Sequence, residues 1–536
     1  MTAILDNPPA PVAASAERKW WALGALALAG LAVGVDGTVL SVALPTLSRA
    51  LHASESDLQW FSSGYFLVLA AAMLPAGLLG DRFGRKKVLL ISLALFGAGS
   101  AGCAYSTSVG EFMAARVLVG LGGAGLIVMA FSVLTVLFSK GERPMAVGVL
   151  SGASFVAFPI GPILGGWLLT NYWWGWVFVI NIPVVLVGLV AVVAAVPESR
   201  ASKHPGLDLV GVLSSAAGLV ILTYGLIKAG QEGWGNVHAL AMMICGVALL
   251  VGFFAWERRL THRPGGQPLI DLTLFSSASF TWGVILAVLP LLAMLGILFT
   301  MPQYFQGVLG TNAMGSGVRL LPLVAGLIVG ALPAARVVRL VGAKVAVAAG
   351  FALLAVGLFL GSTMSVGSSG VFVALWMGVA GLGTGIAMAT AMSAALVELS
   401  EEKSGVGAAV MQAVNKTGGP LGIAILGSVL SAGYLARLDL AGLPAAAVAA
   451  VRQSVFGGVA VARKLHSPSL LTSVQRAFVH GMDMALLVSA GIALTGVVLT
   501  VLFLPQTNAS RQPLNAGVDT QGRGVDDRPM TTDRVA

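Results

Sequence analysis

Residues 77–87 read Gly77-Leu78-Leu79-Gly80-Asp81-Arg82-Phe83-Gly84-Arg85-Lys86-Lys87 and connect two apolar stretches of the chain. The glycines allow neighbouring helices to approach closely and the chain to reverse tightly. Asp81 stands among four cations and can pair with a basic group or a helix N-terminus. A loop that only sets membrane topology would need the cations alone. The acid and the glycines therefore indicate a structured reversal with a role of its own.

The chain around this segment has the composition of a membrane protein. Of its 536 residues, 57% are hydrophobic and 10% are charged, and the mean hydropathy is +0.91. Fourteen stretches contain the roughly 20 apolar residues that a helix needs to cross a bilayer. The first lies near residues 20–43 and the last near residues 484–504. We therefore predict an all-α membrane protein with 14 transmembrane helices.

Several classes of function are excluded by what the chain lacks. The two cysteines, Cys103 and Cys245, both lie in apolar runs, so the pattern offers neither a disulfide framework nor a Cys-x-x-Cys metal site. The sequence contains no phosphate-binding Gly-x-x-x-x-Gly-Lys loop and no recognisable hydrolytic motif. We expect no enzyme activity, no cofactor and no metal. The net charge of +9 is attributed to cytoplasmic loops, and nucleic acid is not an expected partner.

The distribution of Lys and Arg predicts the orientation. The connecting segments on the same side as the N-terminus hold 21 of these 31 residues, and those on the opposite side hold 8. Positive charge favours the cytoplasmic side, so we predict that both termini lie in the cytoplasm of a bacterial cell.

An internal repeat organises the spans. Gly84 recurs as Gly342, and Gly161-Pro162 recurs as Gly419-Pro420, each 258 residues later. This repeat predicts two six-helix bundles separated by two inserted helices, a 6 + 2 + 6 arrangement around a central cavity. The predicted parts are a cytoplasmic segment (1–19), the N-terminal bundle (20–200), the inserted helices (201–263), the C-terminal bundle (264–504) with an outer loop at 432–478, and a disordered cytoplasmic tail (505–536).

Three charged residues lie inside predicted spans. Asp36 lies about 13 Å inside the outer end of span 1, and an acid there costs roughly 2.5–3.5 kcal/mol to insert. It should either bind and release protons in a cavity or be a satisfied packing residue. Arg116 lies about 8 Å inside span 4, so it either approaches Asp36 or extends to the interface. Lys416, one turn after Gln412, lies near the middle of span 13 and either faces a cavity or forms a structural ion pair.

Residues 77–87 resemble the G-x-L-x-D-R-x-G-R-K loop of the major facilitator superfamily at nearly every position. In that family the loop is a conformational latch on the cytoplasmic side. The resemblance implies the major facilitator fold. It also implies a latch that comprises Gly77, Asp81, Arg82, Gly84 and Arg85.

Other segments resemble the drug:proton antiporters with fourteen spans. Residues 36–45 resemble the D-x-T-V-x-N-V-A-L-P stretch, with Ser41 in place of Asn, and Arg116 resembles the arginine motif of span 4. The resemblance implies that Asp36 and Arg116 couple protons to transport. The antiporter motif of span 5 is matched by Gly161, Pro162, Gly165 and Gly166. Exporters of the superfamily carry this motif, whereas uptake symporters generally do not.

The resemblance predicts a proton-coupled exporter of amphipathic aromatic drugs or antibiotics that confers resistance and works as a monomer. The alternative is a proton-coupled uptake symporter of a small organic solute. The candidate substrate-binding residues are Tyr65, Phe158, Tyr304, Gln412, Asn415 and Lys416. An unpaired Lys416 ammonium would repel cations and favour neutral or anionic aromatic substrates.

Overall fold

The computed structural model describes residues 16–139, 141–200, 208–263, 266, 268–270, 272–397 and 401–506. Every regular element in these ranges is a helix, which confirms the all-α prediction. Fourteen helical segments in these ranges are long and apolar enough to cross a membrane, which agrees with the predicted number of spans. Most of the predicted tail lies outside the described residues.

The helices of the first half run from α1 to α7, and α8 and α9 follow them. Their bounds are α1 Ala16–Ala50, α2 Glu55–Phe83, α3 Arg85–Tyr105, α4 Val109–Leu137, α5 Arg143–Asn171, α6 Trp176–Val179, α7 Asn181–Ala195, α8 Leu209–Glu232 and α9 Val237–His262. Within this half, α1 packs on α5 and α7, and α4 packs on α2 and α3. The helices α8 and α9 form a hairpin that contacts α2 and α16.

The second half comprises α10 to α19. Its bounds are α10 Ala278–Gln303, α11 Ala313–Arg319, α12 Leu321–Ala331, α13 Ala334–Val341, α14 Ala343–Gly361, α15 Gly370–Val397, α16 Glu401–Arg437, α17 Ala445–Gln453, α18 Val455–Lys464 and α19 Pro468–Phe503. A 3₁₀ turn, Leu272–Ser276, precedes α10, and a π-helical turn, Tyr304–Val308, follows it. The domain boundaries at 200, 263 and 504 stay predictions.

The predicted outer loop at 432–478 is shorter in the structure. Helix α16 continues to Arg437, and α19 begins at Pro468, so the connection spans residues 438–467 and itself contains α17 and α18. The two long helices extend beyond the predicted spans because they pack on each other and because α18 buries Val455 and Val459 beside α19. Polar residues can stay helical outside the bilayer wherever such packing is available.

The internal repeat is visible in the backbone and in the contacts. Gly84 and Gly342 have φ of 115° and 83°, a region that favours glycine, and each separates two helices. In the first half Gly161 lies against Thr38 of α1. In the second half Gly419 lies against Leu295 of α10. Equivalent glycines therefore sit at equivalent helix crossings in the two halves.

We name the two ends of the helical bundle by residues that lie there. The Pro45 end holds residues 45–54 and 438–467, and the Gly84 end holds the reversals at Gly84 and Gly342. Asp36 lies between them on α1, about 21 Å along the helix from Ala50.

Candidate functional site

A buried ion pair between α1 and α4 lies at the centre of the first half. Arg116 donates from Nη1 to Asp36 Oδ2 over 2.7 Å, and the two side chains are 1% and 0% exposed. Arg116 also donates from Nε to the carbonyl of Phe61 over 3.3 Å. The structure thus brings the two predicted proton-coupling residues together. The alternative that Arg116 extends to the membrane interface is wrong, because its guanidinium is enclosed by protein.

Tyr65 of α2 completes the surroundings of this pair. Its ring centroid lies 4.3 Å from the Arg116 guanidinium carbon, a cation–π contact. Its hydroxyl donates to the carbonyl of Val33 over 3.2 Å. Tyr65 therefore contacts both Arg116 and α1, and its predicted role in substrate binding stays a prediction.

The ion pair leaves hydrogen-bonding capacity unused. Asp36 Oδ1 and Arg116 Nη2 are buried and have no hydrogen-bond partner among the described residues. Buried polar groups of this kind are uncommon in proteins and often mark functional sites. Asp36 Oδ1 can accept a proton, or a hydrogen bond from a ligand. The arrangement can therefore bind a proton or a ligand at Asp36 beside the Arg116 guanidinium, and proton coupling by this pair stays a prediction.

The antiporter motif on α5 packs directly beside this site. Gly161 and Gly165 lie against Thr38 and Val39, two and three residues after Asp36 on α1. The Thr38 hydroxyl donates to the carbonyl of Ala157 over 3.2 Å. A side chain at either glycine would separate the two helices. The motif thereby fixes the position of the α1 segment that carries Asp36.

The same motif also reaches the second half. A Cβ atom at Gly166 would lie 2.8 Å from the Met314 Cα of α11, and Gly317 of α11 lies against the carbonyl of Pro162. The backbone N–H of Met314 donates to the hydroxyl of Thr170 over 3.3 Å. These contacts between α5 and α11 hold the two halves together at the Pro45 end.

Two glutamine side chains close the Pro45 end further. Gln306 donates to the carbonyl of Val42 over 3.0 Å, which links the π-helical turn to α1. Gln303 donates to Glu55 Oε1 over 3.1 Å, which links α10 to α2. The structure is therefore in a state that is closed at the Pro45 end.

The predicted latch makes its contacts within the first half. Arg85 donates to Asp81 Oδ1 over 2.9 Å, and both side chains are partly exposed. The backbone N–H of Arg85 donates to the carbonyl of Ser199, and Gly84 lies against the Glu198 carboxylate. The other latch residues, Gly77 and Arg82, contact Val128 and the Phe83 ring, respectively. Its role as a latch stays a prediction.

A second ion pair joins α1 and α5 at the Gly84 end. Lys19 Nζ donates to Glu142 Oε1 over 2.6 Å. This hydrogen bond, helped by those from Ser139, lowers the pKa of the Glu142 carboxyl below its ordinary value. Both side chains are partly exposed to solvent, so the pair contributes modestly to stability.

The candidates on α16 face the boundary between the halves. Lys416 is half-buried, and no ion pair or hydrogen bond joins it to any described residue. Gln412 lies one turn earlier, and buried Asn415 has an Oδ1 atom without a partner. Gly419, three residues after Lys416, lies against the Phe66 ring of α2. These residues can therefore present polar groups to a ligand between the halves.

Phe66 connects this group to the ion pair. A Cβ atom at Gly37, the neighbour of Asp36, would lie 3.3 Å from the Phe66 ring, which also lies against Gly419. The ring therefore lies between the α1 segment of Asp36 and the α16 segment of Lys416. Phe66 is not among the substrate-binding residues predicted from the sequence, since no sequence signal separates it from the other aromatic residues of the chain.

Of the remaining two candidates, the structure places Tyr304 away from Phe66 and Lys416. Tyr304 is fully buried at the Pro45 end, and its hydroxyl donates to the carbonyl of Ser365 over 3.3 Å. Phe158 of α5 is partly buried and packs against the core of the first half. Their roles in substrate binding stay predictions.

Sequence reasoning missed two buried acids. Glu55 is 8% exposed and Glu257 is 0% exposed. Glu55 lies in the first turn of α2 and Glu257 lies five residues before the end of α9, near helix ends where acids are normally solvated, so no sequence signal distinguished them. Among the described residues, no group of three or more His, Cys, Asp or Glu side chains could hold a metal ion.

The chain is similar in sequence to a known family and to several known proteins. The model of a family described as the Major Facilitator Superfamily matches residues 26–423. The chain is 33% identical to the tetracenomycin C resistance and export protein of Streptomyces glaucescens, over 96% of this chain and 97% of that protein. It is 30% identical to the multidrug efflux pump LfrA of Mycolicibacterium smegmatis, over 93% of this chain and 99% of that protein.

The chain is also similar to a further relative and, in fold, to two solved structures. The methyl viologen resistance protein SmvA of Salmonella typhimurium is 32% identical over 88% of this chain and 95% of that protein. A bacterial homologue of the human lysosomal transporter Spinster, solved in an inward-facing and unoccupied conformation, has a TM-score of 0.67 at 16% identity, with coverage of 91% and 98%. A D-xylose–proton symporter has a TM-score of 0.57 at 16% identity, with coverage of 91% and 99%. These two likenesses concern the fold alone.

Proposed function

Because the chain belongs to the Major Facilitator Superfamily, we propose that it is a proton-coupled antiporter that exports amphipathic aromatic drugs or antibiotics and confers resistance to them. Its family makes it a transporter and not an enzyme. Relatives at about 30% identity over most of the chain are named for resistance and export, which supports export. The single observation that carries proton coupling is the buried ion pair of Asp36 and Arg116.

The ion pair can link the proton to the substrate because the charge of Asp36 decides what Arg116 does. Ionised Asp36 neutralises the guanidinium at 2.7 Å. A proton on Asp36 removes that partner and leaves a buried cation that must find another, which is energetically costly. The two protonation states of Asp36 therefore favour different arrangements of α1 and α4. Antiport requires that proton and substrate stabilise different states of the same transporter.

The packing of α5 transmits this change to the Pro45 end. Gly161 and Gly165 contact α1 next to Asp36, whereas Gly166 contacts Met314 of the second half. A shift of α1 would therefore move α5 and disturb the contacts that close this end. Transporters of this architecture alternate access by rocking one half against the other. A proton on Asp36 is in this way coupled to opening and closing.

The substrate would lie between the halves near Phe66, Gln412 and Lys416. The Phe66 ring provides an aromatic surface, and the unpaired Lys416 ammonium attracts a carboxylate or phenolate. We therefore propose neutral or anionic aromatic substrates over cationic ones. One relative is named for resistance to and export of tetracenomycin C, and another is named for resistance to methyl viologen. The relatives therefore differ in the compound for which each is named.

The distribution of positive charge supports one orientation of the protein in the membrane. The excess of Lys and Arg on the side of the N-terminus supports an orientation with the Gly84 end and both termini in the cytoplasm and the Pro45 end outside. The protein would lie in the bacterial cell membrane and act as a monomer. The proton gradient would supply the energy, without a cofactor.

Dye transport into everted vesicles tests the proposal. In everted vesicles the cytoplasmic face is outside, so an exporter accumulates an aromatic substrate when the lumen is acidic. Collapse of the proton gradient with an ionophore should release the accumulated substrate. The alternative, an uptake symporter, would accumulate its solute in right-side-out vesicles instead. Accumulation that persists without a proton gradient would overturn the coupling.

A further inference from the structure

A second carboxyl group is buried between the two halves, at the Pro45 end. Glu55, in the first turn of α2, is 8% exposed, and its Oε1 accepts the 3.1 Å hydrogen bond from Gln303 of α10. The two residues are 248 positions apart in the chain, and both are buried. The contact exists only while the halves are together at this end. Glu55 is therefore covered by the closed state and uncovered when that state opens.

A further polar side chain lies at the same boundary between the halves, on the same face of α2. We call the buried contact of Glu55, Gln59 and Gln303 the seam. Gln59 follows Glu55 by one helical turn, is fully buried, and lies against Gly427 of α16. Neither its Nε2 nor its Oε1 has a hydrogen-bond partner among the described residues. Gln303 Oε1 is likewise buried without a partner. Polar groups that lack hydrogen bonds in the closed state would form them with water on opening. The energetic cost of separating the seam is therefore low.

Among the described residues, no cation forms an ion pair with Glu55. Tyr434 is the residue of α16 that interacts electrostatically with it. Several ionisable groups of the helices around α2 at this end are bonded elsewhere or exposed: Arg49 donates to the Pro45 carbonyl, Asp57 accepts from Ser54, Glu111 accepts from Thr107, Lys228 pairs with Glu232, and His52 and Arg437 are exposed. On α19, which packs on α10, Asp483 and His480 are partly buried.

The neutral form of Glu55 fits the closed state better than the ionised form. A buried carboxylate without a cation loses its hydration without compensation, whereas a neutral carboxyl does not. A proton on the carboxyl also brings a donor close to Gln303, whose Oε1 lacks one. Once the halves separate, water hydrates the carboxylate, and the ionised form becomes the stable one near neutral pH.

We propose that Glu55 is a proton-operated clasp of the Pro45 end, closed when the carboxyl is protonated and released when it is ionised. The inference deepens the proposed function, on which it rests for the assignment of the Pro45 end to the outer solution. Acid outside would then favour closure of the outer end, which is the direction in which an inward proton gradient must drive an antiporter. Glu55 lies at the end of the bundle, so it sets the gate and does not carry the proton across.

Distances between spin labels at the Pro45 end test the clasp directly. Suitable sites are Gly110 at the start of α4 and Gly367 between α14 and α15, because a side chain at either meets no atom within 4 Å. Both would be changed to cysteine after replacement of Cys103 and Cys245. In lipid nanodiscs, lowering the pH from about 8.5 to about 5.5 should reduce the open-to-closed ratio about fivefold or more. Glu55→Gln, which mimics the neutral form, should stay closed with a change below about twofold.

Matched variants separate the clasp from other titrating groups. Glu232→Gln changes another acid at the same end that is already paired and half-exposed, and should respond to pH as the native protein does. Gln303→Leu keeps Glu55 but removes its partner, and should raise the open fraction at low pH. If Glu55→Gln does not fold, Gln303→Leu alone must show this effect.

Two results would overturn the clasp: a pH response of Glu55→Gln equal to that of the native protein, or native distances that do not respond to pH. The distances do not require transport, so such a result leaves the proposed exporter untouched. Conversely, vesicles without gradient-driven transport would refute the exporter while the distance measurement still reports on Glu55.

Discussion

Arg116 and Asp36, 80 positions apart in the chain, form a 2.7 Å ion pair inside the first half of the transporter. Each has one buried polar atom without a hydrogen-bond partner in the part of the chain that the structure describes, so neither charge is fully satisfied there. An ion pair of this kind is poorly suited to a purely structural role, since hydrophobic residues of similar volume often stabilise a protein as well or better. Its geometry suits a site whose charge changes during a cycle.

Asp36→Asn is expected to abolish transport driven by a pH gradient while the protein stays inserted and folded, because the amide cannot gain or lose the coupled proton. Gradient-driven uptake of an aromatic substrate into everted vesicles measures this. Glu232→Gln, at an exposed acid, serves as the matched control and should keep native transport. Native gradient-driven accumulation in the Asp36→Asn protein would eliminate Asp36 as the proton carrier.

Arg116→Gln is expected to destabilise the protein by roughly 3–5 kcal/mol when Asp36 stays ionised, because a buried charge loses its partner. The double variant Asp36→Asn with Arg116→Gln should recover part of this loss, since no uncompensated charge remains. Thermal unfolding of the purified protein, followed by gel filtration, gives the three midpoints. A double variant no more stable than Arg116→Gln would show that the pair is not the source of the effect.

Gly166→Ala is expected to hinder closure of the Pro45 end, because the new Cβ would lie 2.8 Å from the Met314 Cα. Overpacking typically costs about 1–3 kcal/mol, enough to shift the closed population about tenfold. The label pair at Gly110 and Gly367 would report a larger open fraction. Gly152→Ala on the same helix meets no atom within 4 Å and is the control. Equal distances in both variants would contradict the role of this contact.

Asp81→Asn is expected to slow turnover more than it weakens substrate binding, because Asp81 pairs with Arg85 at the Gly84 end and lies far from the proposed substrate site. Substrate titration of the purified protein gives the affinity, and initial rates in vesicles give the turnover. A loss of affinity as large as the loss of rate would argue against a latch.

Lys416→Gln is expected to reduce resistance to anionic aromatic drugs while leaving resistance to neutral ones close to native. At an effective dielectric constant near 20, an ammonium and a carboxylate 4 Å apart attract each other by on the order of 4 kcal/mol before desolvation is subtracted. A resistance panel in an efflux-deficient host measures the change. The selectivity fails if cationic dyes are the best substrates of the native protein, or if the substitution leaves anionic-drug resistance unchanged.

The sequence by itself determined the class of the protein and much of its plan. Runs of about 20 apolar residues specify spanning helices because the bilayer requires every backbone polar group to be bonded within the helix. The recurrence of Gly84 at Gly342 and of Gly161 at Gly419 revealed the two halves. The depth of Asp36 in its span marked it as a functional candidate, since an unpaired acid there is costly.

Only the tertiary structure decided which of these residues meet. Whether Arg116 reaches Asp36 or the membrane interface depends on how α4 is rotated and placed against α1, and a shift of one residue turns a side chain by about 100°. The placement of α10 against α2 likewise buries Glu55 beside Gln303, although the position of Glu55 in the first turn of a capped helix predicts a solvated acid. Contacts between residues 80 or 248 positions apart are set by the packing of whole helices, and local sequence carries no record of that packing.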